Sequence, residues 1–342
     1  LLVATFTGAI IMYNLTRAVG GALEWTTVQT AFLAAMVMVS SSAIISKTLN
    51  EIGATHEKSG QLAMGVSVLE DVVAIVMLTI LNSLVHIGGA KAEIGSTLGL
   101  LGAFICLAGV GGMLTVPWLL KKMSLSAGDE LPTIMVAGLL FVLAFLADRA
   151  GFSLALGAFM LGAIVAETPH KVQVGRAFEG MRDVFSAVFF VSIGMLIDLR
   201  AVIDSWLLIA GISAFVLVAR PFAVTLGMLV IGGSTRESLR VGLSVTALGE
   251  FSFIIAQLGV VSGAVPRRFQ ALAVGVSLVT TLVGPLLIRH SEKISNWVAE
   301  RQPEWLGTWE EYYHRLLERI QQHQQKNVLW QLSKKRVIQI AV

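Results

Sequence analysis

The chain has 342 residues, of which 55% are hydrophobic and only 14% charged, with a mean hydropathy of +0.78. That balance excludes an ordinary soluble domain, in which about a quarter of residues are charged, and defines an integral membrane protein. A net charge of +3 fits Lys- and Arg-rich cytoplasmic loops and gives no reason to expect a nucleic-acid partner, while a single cysteine, Cys106, excludes an internal disulfide.

About ten apolar stretches predict membrane-spanning helices, most of them near the ~17–25 residues that a bilayer requires. They cover residues 1–19, 27–49, 60–85, 94–120, 131–147, 152–166, 184–197, 201–231, 238–260 and 269–288. The second is interrupted at mid-depth by Ser40, Ser41 and Ser42. Such a run either lets helices approach closely or marks an unwound segment whose hydroxyls and carbonyls help to coordinate an ion.

The third stretch carries Glu70 and Asp71 side by side near its middle. A charge at that depth costs about 2.5–3.5 kcal/mol on insertion scales, so two together point to an ion or proton pathway rather than to decoration. Burial and a second carboxylate favour the protonated form of such a group, and a nearby cation favours the ionised form. Protons and metal cations can then compete for the same oxygens, which couples the movement of one to the other. Adjacent helical residues point about 100° apart. Asp71 is therefore assigned as the ion ligand, with Glu70 as its partner or a second proton carrier. A buried carboxylate pair that only holds helices together is the bland alternative.

Stretches 152–166 and 184–197 are short, and short spans in transporters often mark broken helices. The eighth stretch contains Arg220-Pro221 far from both ends. An arginine there cannot easily snorkel to water and needs a carboxylate partner, for which Glu70, Asp71 and Glu250 are the strong candidates. The proline predicts a kink. In the ninth stretch Glu250 follows Gly249, with Ser244, Thr246 and Ser252 nearby, and this reads as a second polar break or as a helix-packing surface. Two breaks, one toward each end, give the layout of inverted repeats meeting at the midplane.

Lys47, Lys58, Lys121, Lys122, Lys171, Arg176, Arg182, Arg236 and Arg240 fall on one side, together with the basic tail, so that side and the C-terminus are expected to be cytoplasmic. The division expected is a transmembrane domain over 1–290 and a tail or linker over 291–342. In the tail, Trp297, Trp305, Trp309, Tyr312 and Tyr313 suit either a helix on the membrane surface or a link to a further domain. An apolar start without Met and an apolar end at Val342 lead us to expect a fragment. The six histidines (His56, His86, His170, His290, His314 and His323) lack metal-ligand spacing, and no transition-metal site or cofactor is expected.

Five motifs, in this order, resemble the monovalent cation:proton antiporter 2 family, which includes the Kef-type potassium efflux proteins. They are Ser40-Ser-Ser-Ala-Ile-Ile-Ser-Lys-Thr-Leu-Asn-Glu51, Val68-Leu-Glu-Asp-Val-Val-Ala-Ile75, Phe152-Ser-Leu-Ala-Leu-Gly-Ala-Phe159, Phe189-Phe-Val-Ser-Ile-Gly-Met-Leu-Ile-Asp198 and Gly249-Glu-Phe-Ser-Phe253. The resemblance covers about residues 1–290. It implies an all-α, polytopic, inverted-repeat antiporter fold with crossing broken helices, of which about ten spans of 13 are here. It further implies a homodimer, moving core domains, a bacterial inner membrane, and a regulatory domain beyond residue 342. On this resemblance Asp71 matches the ion- and proton-binding aspartate, the serines including Ser41 and Ser42 match the crossing break, and Arg220 matches a buried basic residue paired with the acidic site. Kef-type members carry glutamine where this chain has Glu70; two carboxylates are the pattern of electrogenic sodium/proton relatives. Glu70 would then support a second proton or neutralise Arg220.

The function expected is exchange of K+ or Na+ for protons by alternating access. A gated potassium pore without proton coupling is the rival. A membrane enzyme is disfavoured, because no histidine lies at midplane depth beside the serines to act as a base.

Overall fold

A computed structural model describes residues 1–86, 94–124, 130–195 and 198–301. Among these residues the regular structure is helical, and the one strand-like feature is an isolated antiparallel bridge between Ser40 and Leu248. The helices are α1 (Leu2–Ala22), α2 (Thr27–Val37), α3 (Ser42–Glu51), α4 (Lys58–His86), α5 (Ile94–Ser124), α6 (Glu130–Arg149), α7 (Leu154–Ala166), α8 (Lys171–Met195), α9 (Leu199–Asp204), α10 (Trp206–Val230), α11 (Thr235–Ser244), α12 (Phe251–Val261) and α13 (Arg268–Glu300). Five of the described helices (α1, α4, α5, α10 and α13) are long and apolar enough to cross a membrane, and α2, α7 and α12 are shorter apolar helices. The chain is an integral membrane protein.

Local chemistry fixes the helix starts. Thr26 and Gln29 form a reciprocal capping box at α2, with Thr26 Oγ1 accepting from Gln29 N at 3.2 Å and Gln29 Oε1 accepting from Thr26 N at 3.1 Å. Ser41, Ser153 and Ser234 cap α3, α7 and α11 in the same N-cap role. The polar break at the three serines therefore has a simple cause: after α2 ends at Val37, Ser41 offers its hydroxyl to start a new helix.

Packing sorts the helices into two groups. One large core, containing Phe32, Leu33, Ile212, Val216, Ile255, Phe269 and Leu272, draws α1, α2, α4, α10, α12 and α13 together. A second, with Val116, Leu120, Leu161, Ile164 and Val174, unites α5 to α8. Ile75 of α4 joins Leu101, Phe152, Leu156 and Met160 in a third cluster that bridges the two. Large apolar side chains such as Leu107, Leu114, Phe141, Phe145, Phe185 and Val188 stay exposed on α5, α6 and α8, as helices immersed in lipid require.

The two ends of the bundle are chemically distinct. At one, Lys58 meets Glu237 at 2.9 Å, Arg240 meets Glu57 at 2.6 Å and Arg289 meets Glu51 at 2.7 Å. At the other, Trp25 packs against Phe269 with ring centroids 4.9 Å apart, and Arg268 lies over the Trp25 ring. Arg268 and Arg289 belong to one helix, and 21 residues at 1.5 Å each separate them by ~31 Å. That is about the thickness of a hydrocarbon core.

Four sequence expectations change. Residues 184–197 are not a separate short span: α8 starts at Lys171, and its charged first half is helical rather than a loop. The stretch 201–231 divides into the six-residue α9 and the 25-residue α10, and α10 runs on through Pro221. Stretch 152–166 contains α7, a single unbroken helix. The helix α13 passes through residue 290 and ends at Glu300, so the change of composition there is not a change of structure. The tail aromatics Trp305, Trp309, Tyr312 and Tyr313 lie outside the described residues, as do positions 196–197 of the fourth motif.

Candidate functional site

Two helices are broken at the centre of the bundle, and their breaks meet. Between α2 and α3 the residues 38–41 are non-helical, and between α11 and α12 the residues 245–250 are non-helical. The segments pair through Ser41 N to Ala247 O at 2.8 Å and Gly249 N to Val39 O at 3.1 Å. Unwinding a helix inside a membrane frees backbone groups that lipid cannot satisfy, so each needs a partner from the protein. Those partners are found one by one. Met36 O accepts from Ser252 Oγ at 2.6 Å, Val37 O accepts from Arg220 Nη1 at 2.9 Å, and Leu248 N donates to Thr280 Oγ1 at 3.2 Å.

A further donor, Ser40 N, points at Glu70 Oε2 from 3.0 Å. The same oxygen receives Arg220 Nη2 at 2.7 Å, and the two side chains are 2% and 8% exposed. Ser40 Oγ donates to Ser67 Oγ at 2.9 Å. Ser67 and Glu70 are three residues apart on α4, so they share a face turned toward the crossing. Electrostatics agree with this placement. The carbonyl end of α2 faces the guanidinium, and the amide just ahead of α3 faces the carboxylate, each helix end meeting the charge its dipole favours.

Arg220 thus has Glu70 as its ion-pair partner. Asp71, one position along α4, points elsewhere: it is half-buried and makes no hydrogen bond or ion pair among the described residues. It interacts electrostatically with Glu250 and Glu70. Glu250 occupies the position before α12, is exposed, and gives no side-chain cap to that helix. It is therefore not a partner of Arg220 here but a second acid beside Asp71. Ser41 is occupied in capping α3, its Oγ accepting from Ile44 N at 3.4 Å, and Ser42 opens that helix half-buried.

Sequence reading did not single out Ser67 or Thr280. Ser67 could have been found by its spacing from Glu70. Thr280 carried no such signal, since a lone hydroxyl in an apolar helix usually bonds its own backbone. No group of three or more His, Cys, Asp or Glu residues able to hold a metal occurs among the described residues.

Long apolar helices around a buried ion pair, with two broken helices crossing beside it, define a polytopic membrane protein with polar groups organised in its interior. Residues 1–290 match the transmembrane family of sodium/hydrogen exchangers, and the chain belongs to that family. The family is one of transporters rather than of enzymes. Among similar proteins, the K(+)/H(+) antiporter subunit KhtU of Bacillus subtilis (strain 168) is 28% identical over 305 residues, covering 86% of this chain and 74% of KhtU. YbaL of Escherichia coli (strain K12), whose name assigns cation/proton antiport only provisionally, is 27% identical over 285 residues, covering 81% of this chain and 51% of YbaL. K(+) efflux antiporter 6 of Arabidopsis thaliana is 26% identical over 266 residues, covering 75% of this chain and 44% of that protein. The chain spans about half the length of several of the curated relatives it matches and a smaller share of others.

Proposed function

We propose that this chain forms the membrane part of a secondary antiporter that exchanges a monovalent cation for protons, with Asp71 as the exchanging group. The observation that carries this reading is the division of labour between the two adjacent acids. Glu70 is held by Arg220 and Ser40 N, whereas Asp71 is half-buried and forms no ion pair among the described residues. An uncompensated carboxylate at midplane depth must either hold a proton or bind a cation, and that alternative is the exchange reaction. Its proton leaves to the side of lower proton activity, the cation takes its place on the carboxylate oxygens, and the reverse occurs on the other face.

Glu70, engaged as it is, acts in this reading as the fixed partner of Arg220 rather than as a second proton carrier. The names of the relatives favour potassium as the cation, with sodium the other choice. Alternating access is carried by the group around α1–α4 and α10–α13 moving against the group α5–α8, because each has its own apolar core. The inverted-repeat arrangement, a homodimer in a bacterial inner membrane, and a cytoplasmic C-terminus complete the proposal. Liposome reconstitution with an imposed pH gradient tests it. Asp71→Asn should abolish cation-dependent proton movement for both K+ and Na+. Exchange that survived in that variant, or cation flux in the parent protein without any proton flux, would overturn the reading; the second result is the one a gated pore predicts.

A further inference from the structure

A small cavity lies beside the ion pair, between α1, α4 and α10, and it gathers polar atoms that the protein leaves without partners. Its volume is about 10 Å³, and Thr5, Glu70 and Arg220 line it among apolar neighbours such as Met12, Met38 and Ala223. Thr5 Oγ1 and Arg220 Nε are both buried, and neither has a hydrogen-bond partner among the described residues. Both residues are at most 4% exposed.

Thr5 differs from three other helical threonines. Thr16, Thr79 and Thr115 each donate to the carbonyl four residues back, at 2.8, 2.7 and 2.8 Å. The Thr5 hydroxyl makes no such bond; the carbonyl four residues back, on Leu1 just ahead of α1, accepts Thr5 N at 2.9 Å. Arg220 uses Nη1 on Val37 O and Nη2 on Glu70, which leaves Nε–H as the donor without an acceptor. Glu70 receives both of its protein donors on Oε2, so Oε1 is the oxygen with capacity left. Buried polar groups stranded in this way are costly, and most costly inside a membrane.

We propose that one ordered water molecule occupies this cavity, accepting from Arg220 Nε and bonding to Thr5 Oγ1 and the Glu70 carboxylate. The space is at the lower edge of the ~10–15 Å³ that a water needs, and three polar partners are the usual number. Charge excludes the other small occupants: a cation would meet the guanidinium, and an anion would meet Glu70. The water extends the charge pair to α1, so that the helix without a charged residue in the site is tied to it by a hydrogen bond. Thr5 is a water ligand in this arrangement.

An experimental structure of the protein at a resolution that shows ordered water tests the site directly, whichever ion the protein moves. Density within ~3.2 Å of both Thr5 Oγ1 and Arg220 Nε is expected in the parent protein. It should persist in Thr5→Ser, which keeps the hydroxyl, and be lost in Thr5→Val, which keeps the shape and removes it. A dry cavity in the parent protein overturns the proposal, and so does density unchanged in Thr5→Val. Should Thr5→Val fail to fold, density in the parent and in Thr5→Ser decides alone.

Discussion

Glu70 and Asp71 are neighbours in sequence and opposites in environment, and that contrast makes separable predictions for the two. Removing one partner of a buried ion pair strands the other charge and typically costs about 3–5 kcal/mol, whereas replacing both by apolar groups of similar volume is often close to neutral. Arg220→Met should therefore lower thermal stability in detergent strongly, and Glu70→Leu/Arg220→Met should recover most of the loss. Additive losses in the double variant would mean that the pair is not what each residue is there for. Asp71→Asn, which breaks no bond within the described residues, should abolish exchange while moving the melting temperature little. Sequence alone could rank these residues as charges stranded in apolar stretches, but it left three carboxylates open for Arg220. The choice rests on packing between positions 150 residues apart, which no local pattern carries.

The crossing is an element-scale device, and its tightest point is Gly249. A Cβ added there would lie 2.5 Å from Ser40 O and 3.0 Å from its carbonyl carbon, and both atoms are backbone held by the paired breaks. Neither can retreat without releasing the bonds from Ser41 N and Gly249 N. Gly180, on the exposed side of α8, has nothing within 4 Å of an added Cβ. Gly249→Ala should thus lower the yield of folded protein and its exchange rate sharply. Gly180→Ala should be neutral or stabilise by about 0.5–1 kcal/mol, the usual gain from relieving a helical glycine. Equal behaviour of the two, measured by fluorescence-detected size exclusion and melting, would contradict the crossing geometry. Both breaks were legible in the sequence because serines and Gly249-Glu250 interrupt otherwise apolar runs. The start of α8 was not. Lys171, Arg176, Glu179, Arg182 and Asp183 look like a solvated loop to any reading based on hydropathy, yet charged residues of this kind are compatible with helix and depend on tertiary context for their state.

At the scale of the whole molecule, charge decides which face is which. Three ion pairs gather residues 51, 57, 58, 237, 240 and 289 at one end, which brings together Lys58 and Arg240, two of the nine basic residues assigned to one side by loop counting. Each pair has at least one exposed partner, and exposed pairs contribute little stability, with a median of about 0–1 kcal/mol. Their information is positional: loops rich in Lys and Arg stay on the cytoplasmic side. Single cysteines can read that directly. Cys106 is exposed on a helix in the lipid zone and is first replaced by alanine so that it adds no background. Lys47 and Arg267 are exposed at opposite ends, one within α3 and the other just ahead of α13. In intact cells, a maleimide that cannot cross the membrane should label Arg267→Cys and leave Lys47→Cys untouched. In inverted vesicles the pattern should reverse. Labelling of both from one side would break the two-ended arrangement of the bundle. A reversed pattern would keep the fold and the chemistry of exchange, whose direction follows the proton and cation gradients, and would invert only the assignment of the two faces.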